Sequence, residues 1–258
     1  MPDFSTVTEL AGDDVSQEQV ERICHRYYWA GEYCADKDVL EVACGSGQGI
    51  GYLSRIANSL AAGDYDAKIL SIAKAHYGDR VDLQQFDAQD MPYADSSKDV
   101  VIIFEALYYI PSVARFAAEC RRVLRPGGKV LVATANKDLY DFNPSPFTFE
   151  YHGVAELEKL FGAEGFSVEC FGYMSVGAVS LRQRVLRPIK KLAVSLGLIP
   201  KTTQGKKLLK RLVFGGLVKM PAEVTAGMFP YEEPRRLSPG IPDKEHKVIY
   251  CAATLVHK

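Results

Sequence analysis

The stretch "VLEVACGSGQGIGYLS", residues 39 to 54, joins an apolar run, a carboxylate at Glu41 and glycines at alternate positions, Gly45, Gly47 and Gly49. Three more acids stand at the ends of apolar runs: Asp64 after "SLAAG", Asp87 after "VDLQQF" and Glu105 after "DVVIIF". A glycine turn at a strand end lets backbone come close to a nucleotide-like cofactor, and acids at neighbouring strand ends can accept from its hydroxyl and amino groups. The residue types restrict which cofactor. A triphosphate loop of the Gly-x-x-x-x-Gly-Lys-Ser/Thr kind needs a lysine, and none follows these glycines. A dinucleotide fingerprint needs glycine at its sixth position, where counting from Gly45 gives Ile50 and from Gly47 gives Tyr52. Glu41 would also repel a pyrophosphate. A phosphate-free cofactor fits better, since a carboxylate near the turn can then meet a cationic group instead of repelling an anion.

These residues need elements to hold them. Residues 16–34 have helical spacing, with Val20, Ile23, Tyr27 and Ala30 on one stripe. Strands and helices then alternate: "DVLEVA", "GIGYLSRIAN", "SLAAG", "DAKILSIAKAHY", "VDLQQF", "DVVIIFEAL", "SVARFAAECRRVL" stopped by "RPGG", "KVLVATA", "GVAELEKLFGAEGF" and "SVECFGY". "HKVIYCAATLV" adds a last strand, late in the chain. The alternation predicts an α/β fold with a doubly wound, mostly parallel, seven-stranded sheet. It divides the chain into a helical cap at 1–35, a cofactor core at 36–173, a basic helical insertion at 174–245 with helices near 178–195 and 204–219, and the last strand at 246–258.

"LEVACGSGQG" resembles the first motif of class I S-adenosylmethionine-dependent methyltransferases, with Ala43 in place of that family's first glycine. "AAGDYDAKIL", "QFDAQDMPYADSSKDVVIIFEAL", "FEALYYI" and "ECRRVLRPGGKVLVAT" resemble its later motifs in order and spacing, so the resemblance covers roughly residues 20–172. It implies S-adenosyl-L-methionine as cofactor and a Rossmann-like methyltransferase fold. It assigns cofactor contact to Glu41, Ala43, Cys44, Gly45 and Gly47 of the loop, and to Phe104 and Glu105 beside the methyl donor. Asp64, followed by Tyr65, would take the ribose hydroxyls, Asp66 being better placed to cap the next helix. Asp87 would accept from the adenine amino group, and Ala88 would offer its amide. Arg26, next to Tyr27, would pair with the cofactor carboxylate. "HRYYWAGEYCADKDVLEVACGSG" and "NPSPFTFEYHGVAELEKLF" resemble methyltransferases of bacterial polysaccharide and sugar tailoring, although Phe147 and Phe149 stand near the place of that group's usual histidine. The Asp/Asn/Ser-Pro-Pro-Tyr/Phe signature of amino methyltransferases is missing after "FEALYY", which argues against nucleobase methylation.

The reaction so implied is displacement at a sulfonium methyl, in which the protein aligns the reactants and a base assists a hydroxyl nucleophile. Candidates are His152, Glu105 and Tyr109, with Tyr108 as a second orienting phenol. The acceptor reading is oxygen of a glycan, nucleotide sugar or other small metabolite. N- or C-methylation of a lipid or natural product, and a non-catalytic cofactor-binding scaffold, stay open beside it.

Composition agrees with an ordinary globular chain of 258 residues, 47% hydrophobic and 24% charged. The net charge of −1 gives no sign of a nucleic-acid partner. The six cysteines lie in apolar runs without Cys-x-x-Cys spacing, as buried thiols of a reducing compartment do. The polar start and the lack of a long apolar run favour a cytoplasmic protein. The charge is unevenly spread. From Cys170 to Ala222 there are eleven Lys and Arg and no acid, leaving 20 basic residues against all 32 acids elsewhere. Such a segment is a solvated lid, a homodimer element, or a contact for an anionic membrane surface or lipid-linked acceptor through residues 174–222. The last of these would place the protein at the inner membrane face.

Overall fold

The computed structural model describes residues 8–178 and 216–256. A short strand, β1 (Asp14–Ser16), leads into α1 (Gln17–Cys34), where Ser16 and Gln19 form a reciprocal capping box. There follow β2 (Asp38–Val42), α2 (Ile50–Leu53), β3 (Ser59–Asp64), α3 (Ala67–Tyr77), β4 (Asp82–Gln85), β5 (Lys98–Phe104), α4 (Val113–Val123), β6 (Leu124–Ala135), α5 (Val154–Ala163) and β7 (Phe166–Ser175). Beyond the undescribed stretch come β8 (Leu217–Lys219), β9 (Arg235–Arg236) and β10 (His246–Leu255).

The main sheet has the order β4-β3-β2-β5-β6-β10-β7-β9. Strands β2 to β6 are mutually parallel, and β10 runs antiparallel between β6 and β7. This is the predicted doubly wound sheet, with the two-residue β9 added as an eighth edge strand. Both faces are covered, which is why the central strands are apolar throughout. Leu40, Val42, Val101, Ile103, Val130 and Val132 pack with Phe116, Ala117 and Cys120 of α4 and Leu157 and Phe161 of α5. Val39, Val100, Ile102, Phe104, Leu131 and Ala133 pack on the other face with Ile23, Tyr27, Trp29 and Ala30 of α1. All six cysteines are buried and free.

Three local expectations are corrected. The helix expected over "GIGYLSRIAN" is a single turn, Ile50–Leu53, because Asn58 must already bond back to the Lys37 carbonyl where β3 joins β2. "RPGG" is not a separate stop. Helix α4 passes directly into β6, and these four residues form a bulge between the Lys98–Leu124 and Val100–Lys129 pairings, with Gly127 at φ +77°. The helix expected over 204–219 ends instead as strand β8, pairing Leu217–Lys219 with Ser16–Asp14. The rest of that helix and nearly all of the one at 178–195 lie outside the described residues.

The β1–β8 ribbon ties the two ends of the described chain together. Gly12 and Asp13 exchange backbone bonds with Met220, and the Val224 amide reaches the Gln48 carbonyl at 2.7 Å. The N-terminal segment and residues 217–224 are thereby laid against the glycine loop.

Candidate functional site

A cavity of about 440 Å³ opens at the carboxyl ends of β2, β3 and β5. This is the side on which open parallel sheets take ligands, and β2 and β5 flank the point where strand order reverses. Its floor is the loop after β2. Ala43 lies at φ +52° and Gly45 at φ +61°, left-handed positions that cost a side-chain-bearing residue about 1 kcal/mol. The place of Ala43 in the turn explains why the resembling family uses glycine there. Gly47, at φ +84°, does not line the cavity. It backs onto Tyr77 and Ala73, and its carbonyl accepts the Tyr77 hydroxyl at 2.7 Å. A Cβ at Gly49 would overlap the Tyr27 ring, so this glycine sets how closely the loop meets α1.

The acids occupy separate corners. Tyr27 donates to Glu41 Oε1 at 2.6 Å, and both side chains are buried. Burial pushes the Glu41 carboxyl up to about 7, against the Tyr27 hydrogen bond and the nearby Arg26. Burial and the Glu41 charge push the Tyr27 phenol well up. Burial also raises Asp64, opposed by the amides of Asp66 and Gly45, which donate to it at 2.8 and 2.9 Å. Asp66 itself caps α3 through Lys68 and Ile69. Asp87 accepts from the Gln89 amide at 2.9 Å and lines the cavity with Phe86 and Ala88. Cys44 lines it as a neutral thiol, its pKa driven well up by burial.

Glu105 holds the junction after β5. Its backbone lies at φ +52°, a strained position for a glutamate. Its Oε2 accepts from the Tyr108 hydroxyl at 3.2 Å, and its Oε1 is 3.8 Å from Arg26 Nη1. Tyr109 also lines the cavity, its hydroxyl 2.8 Å from Ser145 Oγ. Ile110, Pro111 and Phe149 complete an apolar wall.

Of the residues expected from the sequence, Arg26, Tyr27, Glu41, Ala43, Cys44, Gly45, Asp64, Tyr65, Asp87, Ala88, Phe104, Glu105 and Tyr109 converge on this cavity. His152 does not. It is buried beside Glu150, Nε2 at 3.9 Å, and burial lowers its pKa. The start of α5 at Gly153 keeps it among Glu156 and Lys137, and its neighbour Tyr151 stacks on Tyr108 at 4.2 Å instead. Arg22, Thr8, Glu9, Ile69 and Gln89 line the cavity without having been anticipated. Arg22 was legible one turn before Arg26 on α1. Thr8 and Glu9 carry no local signal; Gln48 Nε2 donating to the Glu9 carbonyl at 2.6 Å holds them over the loop.

Three buried polar atoms at this cavity make no hydrogen bond among the described residues: Arg26 Nε, Glu41 Oε2 and Glu105 Oε1, the last of them 3.8 Å from Arg26 Nη1. A cation donor and two carboxylate oxygens left so in one cavity fit a ligand bearing both a carboxylate and an ammonium. With Asp64 and Asp87 at the neighbouring strand ends, the donor set fits S-adenosylmethionine along its length.

Residues 40–132 match the family model described as a methyltransferase domain. A protein of Mycolicibacterium smegmatis named "Probable S-adenosylmethionine-dependent methyltransferase" is 36% identical over 153 residues, 58% of this chain and 56% of its own length. A Mycobacterium tuberculosis phthiotriol/phenolphthiotriol dimycocerosates methyltransferase is 42% identical over 95 residues, 36% of this chain and 35% of its own. The matches thus span about half the length of the curated relatives, or less. In structure, the YcgJ protein of Bacillus subtilis covers 91% of this chain and 99% of its own at a TM-score of 0.59 and 15% identity. The [4+2]-cyclase SpnF covers 97% of this chain and 89% of its own at a TM-score of 0.60 and 17% identity. The fold is the Rossmann-like one of S-adenosylmethionine-dependent methyltransferases. A cyclase shares it, so the reaction has to be argued from the site.

Proposed function

From the premise that residues 40–132 carry a class I S-adenosylmethionine-dependent methyltransferase domain, we propose that the chain is a methyltransferase acting on an oxygen of a small-molecule, glycan or lipid acceptor. The observation that carries the reading is the set of buried atoms of Arg26, Glu41 and Glu105 that make no hydrogen bond among the described residues, in the cavity that also holds Asp64 and Asp87. Bound S-adenosylmethionine supplies an electrophilic methyl on a positively charged leaving group. Arg26 binds its carboxylate, and Glu41 with Glu105 receives its ammonium. Asp64 takes the ribose hydroxyls. Asp87 and the Ala88 amide take the adenine edge. Glu105, Tyr108 and Tyr109 face the remaining space and orient the acceptor hydroxyl, with Glu105 as the proton acceptor. His152 has no place in this chemistry, since it does not reach the cavity.

Two observations support a lipid or lipid-linked acceptor over a free sugar. Relatives are named as dimycocerosate methyltransferases, and the acid-free basic run from Cys170 to Ala222 suits an anionic surface. Among the described residues no helix is long and apolar enough to cross a membrane. Sedimentation with anionic and neutral liposomes tests the surface contact, and equal negligible binding to both removes it. The function is tested first by calorimetric titration with S-adenosylhomocysteine and with NADH. Saturable binding of the former, lost in Asp64→Ala, is expected. Binding of NADH alone would overturn the reading.

A further inference from the structure

Helix α1 presents a row of polar side chains, and from Glu18 to Tyr28 nearly every one is engaged. Glu18 pairs with Lys247 at 2.7 Å, and Gln19 with Ser16. Glu21 accepts from Tyr173, and His25 meets Tyr250 and the Glu232 carbonyl. Arg26 faces Glu105, Tyr27 donates to Glu41, and Tyr28 donates to the Thr225 carbonyl. Arg22 has no hydrogen bond or ion pair among the described residues, yet it lines the cavity. It stands one turn before Arg26 on the same helix face. Arg26 lies 3.8 Å from Glu105 and is also the cation felt by Tyr27 and Glu41 at the glycine loop, while the acids felt by Arg22 are Glu105, Glu9 and Glu18. The same cavity is lined by Tyr108, Tyr109, Ile110, Pro111 and Phe149, which are aromatic and aliphatic. A half-buried guanidinium in one cavity with apolar side chains suits a molecule with an anionic head and an apolar body.

We propose that Arg22 is the acceptor-recognition residue, binding a carboxylate or phosphate of an amphiphilic acceptor whose apolar part lies on the Tyr108–Pro111 and Phe149 wall. The proposal rests on the methyltransferase reading above and names the class of acceptor. Arg22 touches the acceptor away from the transferred methyl, so it governs binding and specificity and moves no proton.

The test uses the whole chain saturated with S-adenosylhomocysteine, titrated with decanoate, decyl phosphate and uncharged decanol, in the parent, Arg22→Gln and Arg22→Lys. The parent is expected to bind at least one anion about tenfold more tightly than decanol. The better anion separates a carboxylate acceptor from a phosphate one. Arg22→Gln is expected to lose that preference, and Arg22→Lys to keep part of it. S-adenosylhomocysteine should bind Arg22→Gln within threefold of the parent. Three results would overturn the proposal. One is a parent that binds neither anion better than decanol. Another is an Arg22→Gln variant, folded by circular dichroism, that keeps the anion preference. The third is an Arg22→Gln variant weakened about tenfold for S-adenosylhomocysteine but not for methylthioadenosine, which lacks the amino-acid end; Arg22 would then hold the cofactor carboxylate. A parent that fails to bind S-adenosylhomocysteine at all would instead remove the methyltransferase reading itself.

Discussion

Replacing Glu41 by Gln gives the sharpest check on the electrostatics of the site, in the ligand-free protein. The Glu41 carboxyl is raised from 4.5 to about 7 by burial. Between these values the folded protein binds a proton that the unfolded chain has released. The stability Glu41 contributes is therefore full below about 4.5 and is lost as pH rises through about 7. Linkage gives a loss of about 2.5 kcal/mol between pH 5 and pH 8, or roughly 5–10 °C in Tm for a chain of this size. His25 works in the opposite sense. Burial lowers it to about 4, so its contribution is present above 6.5 and is lost as pH falls through about 4. The parent curve alone mixes the two. Urea unfolding of parent and Glu41→Gln at half-unit steps from pH 5 to 8 separates them, because His25 is common to both. The difference should grow with pH in favour of Glu41→Gln by about 2.5 kcal/mol. Parallel curves would show that Glu41 is not a desolvated carboxyl, and the matching of Glu41 Oε2 to a ligand cation would go with it.

Other outcomes follow from the same geometry. Gly49→Ala puts a methyl into the Tyr27 ring and should destabilise by about 1–3 kcal/mol while weakening S-adenosylhomocysteine binding, read by thermal unfolding and calorimetry. Phe149→Ala and Tyr109→Phe should leave S-adenosylhomocysteine affinity within twofold of the parent and raise the acceptor KM, because both residues lie on the wall away from the glycine loop. Glu223→Ala removes a carboxylate shared by Arg55, His76 and Arg80 at 2.8–3.0 Å and should cost about 1 kcal/mol in urea, since these partners are substantially exposed. His152→Gln should leave both cofactor binding and turnover with the true acceptor unchanged.

The cofactor half of the site was legible because it is built from strand ends. A carboxylate after an apolar run, followed by small residues, declares its own position, and Asp64, Asp87 and Glu105 each did so. Helix α1 was legible from its stripe, and Arg26 with it. Thr8, Glu9 and Phe149 reach the cavity from segments without regular structure, held there by distant bonds such as Gln48 to the Glu9 carbonyl and the Phe149 amide to the Tyr108 carbonyl. No local pattern marks such contacts. His152 misled because the sequence fixes it near the right sheet end but not its direction, which the start of α5 decides. "RPGG" misled because Pro and Gly end a helix and make a bulge equally well, and only the pairing with Lys98 and Val100 chooses between them.

The antiparallel strand β10 has a consequence for how the molecule is made. It sits between β6 and β7, so those two strands cannot be joined into one sheet until it arrives. It also supplies the floor beneath α1, with Tyr250 stacked on Trp29 at 4.8 Å and bonded to His25 across 225 positions of sequence. During synthesis α1 must therefore wait for its β10 contacts for roughly 10–45 s, at about 5–20 residues per second. The parallel strands from β2 to β6 can assemble meanwhile and already offer α1 a surface at Val39, Ile102 and Phe104, but the contacts of His25 and Trp29 with β10 form last. A ribosome-bound chain halted before β10 should thus expose His25 and Trp29 to chaperones.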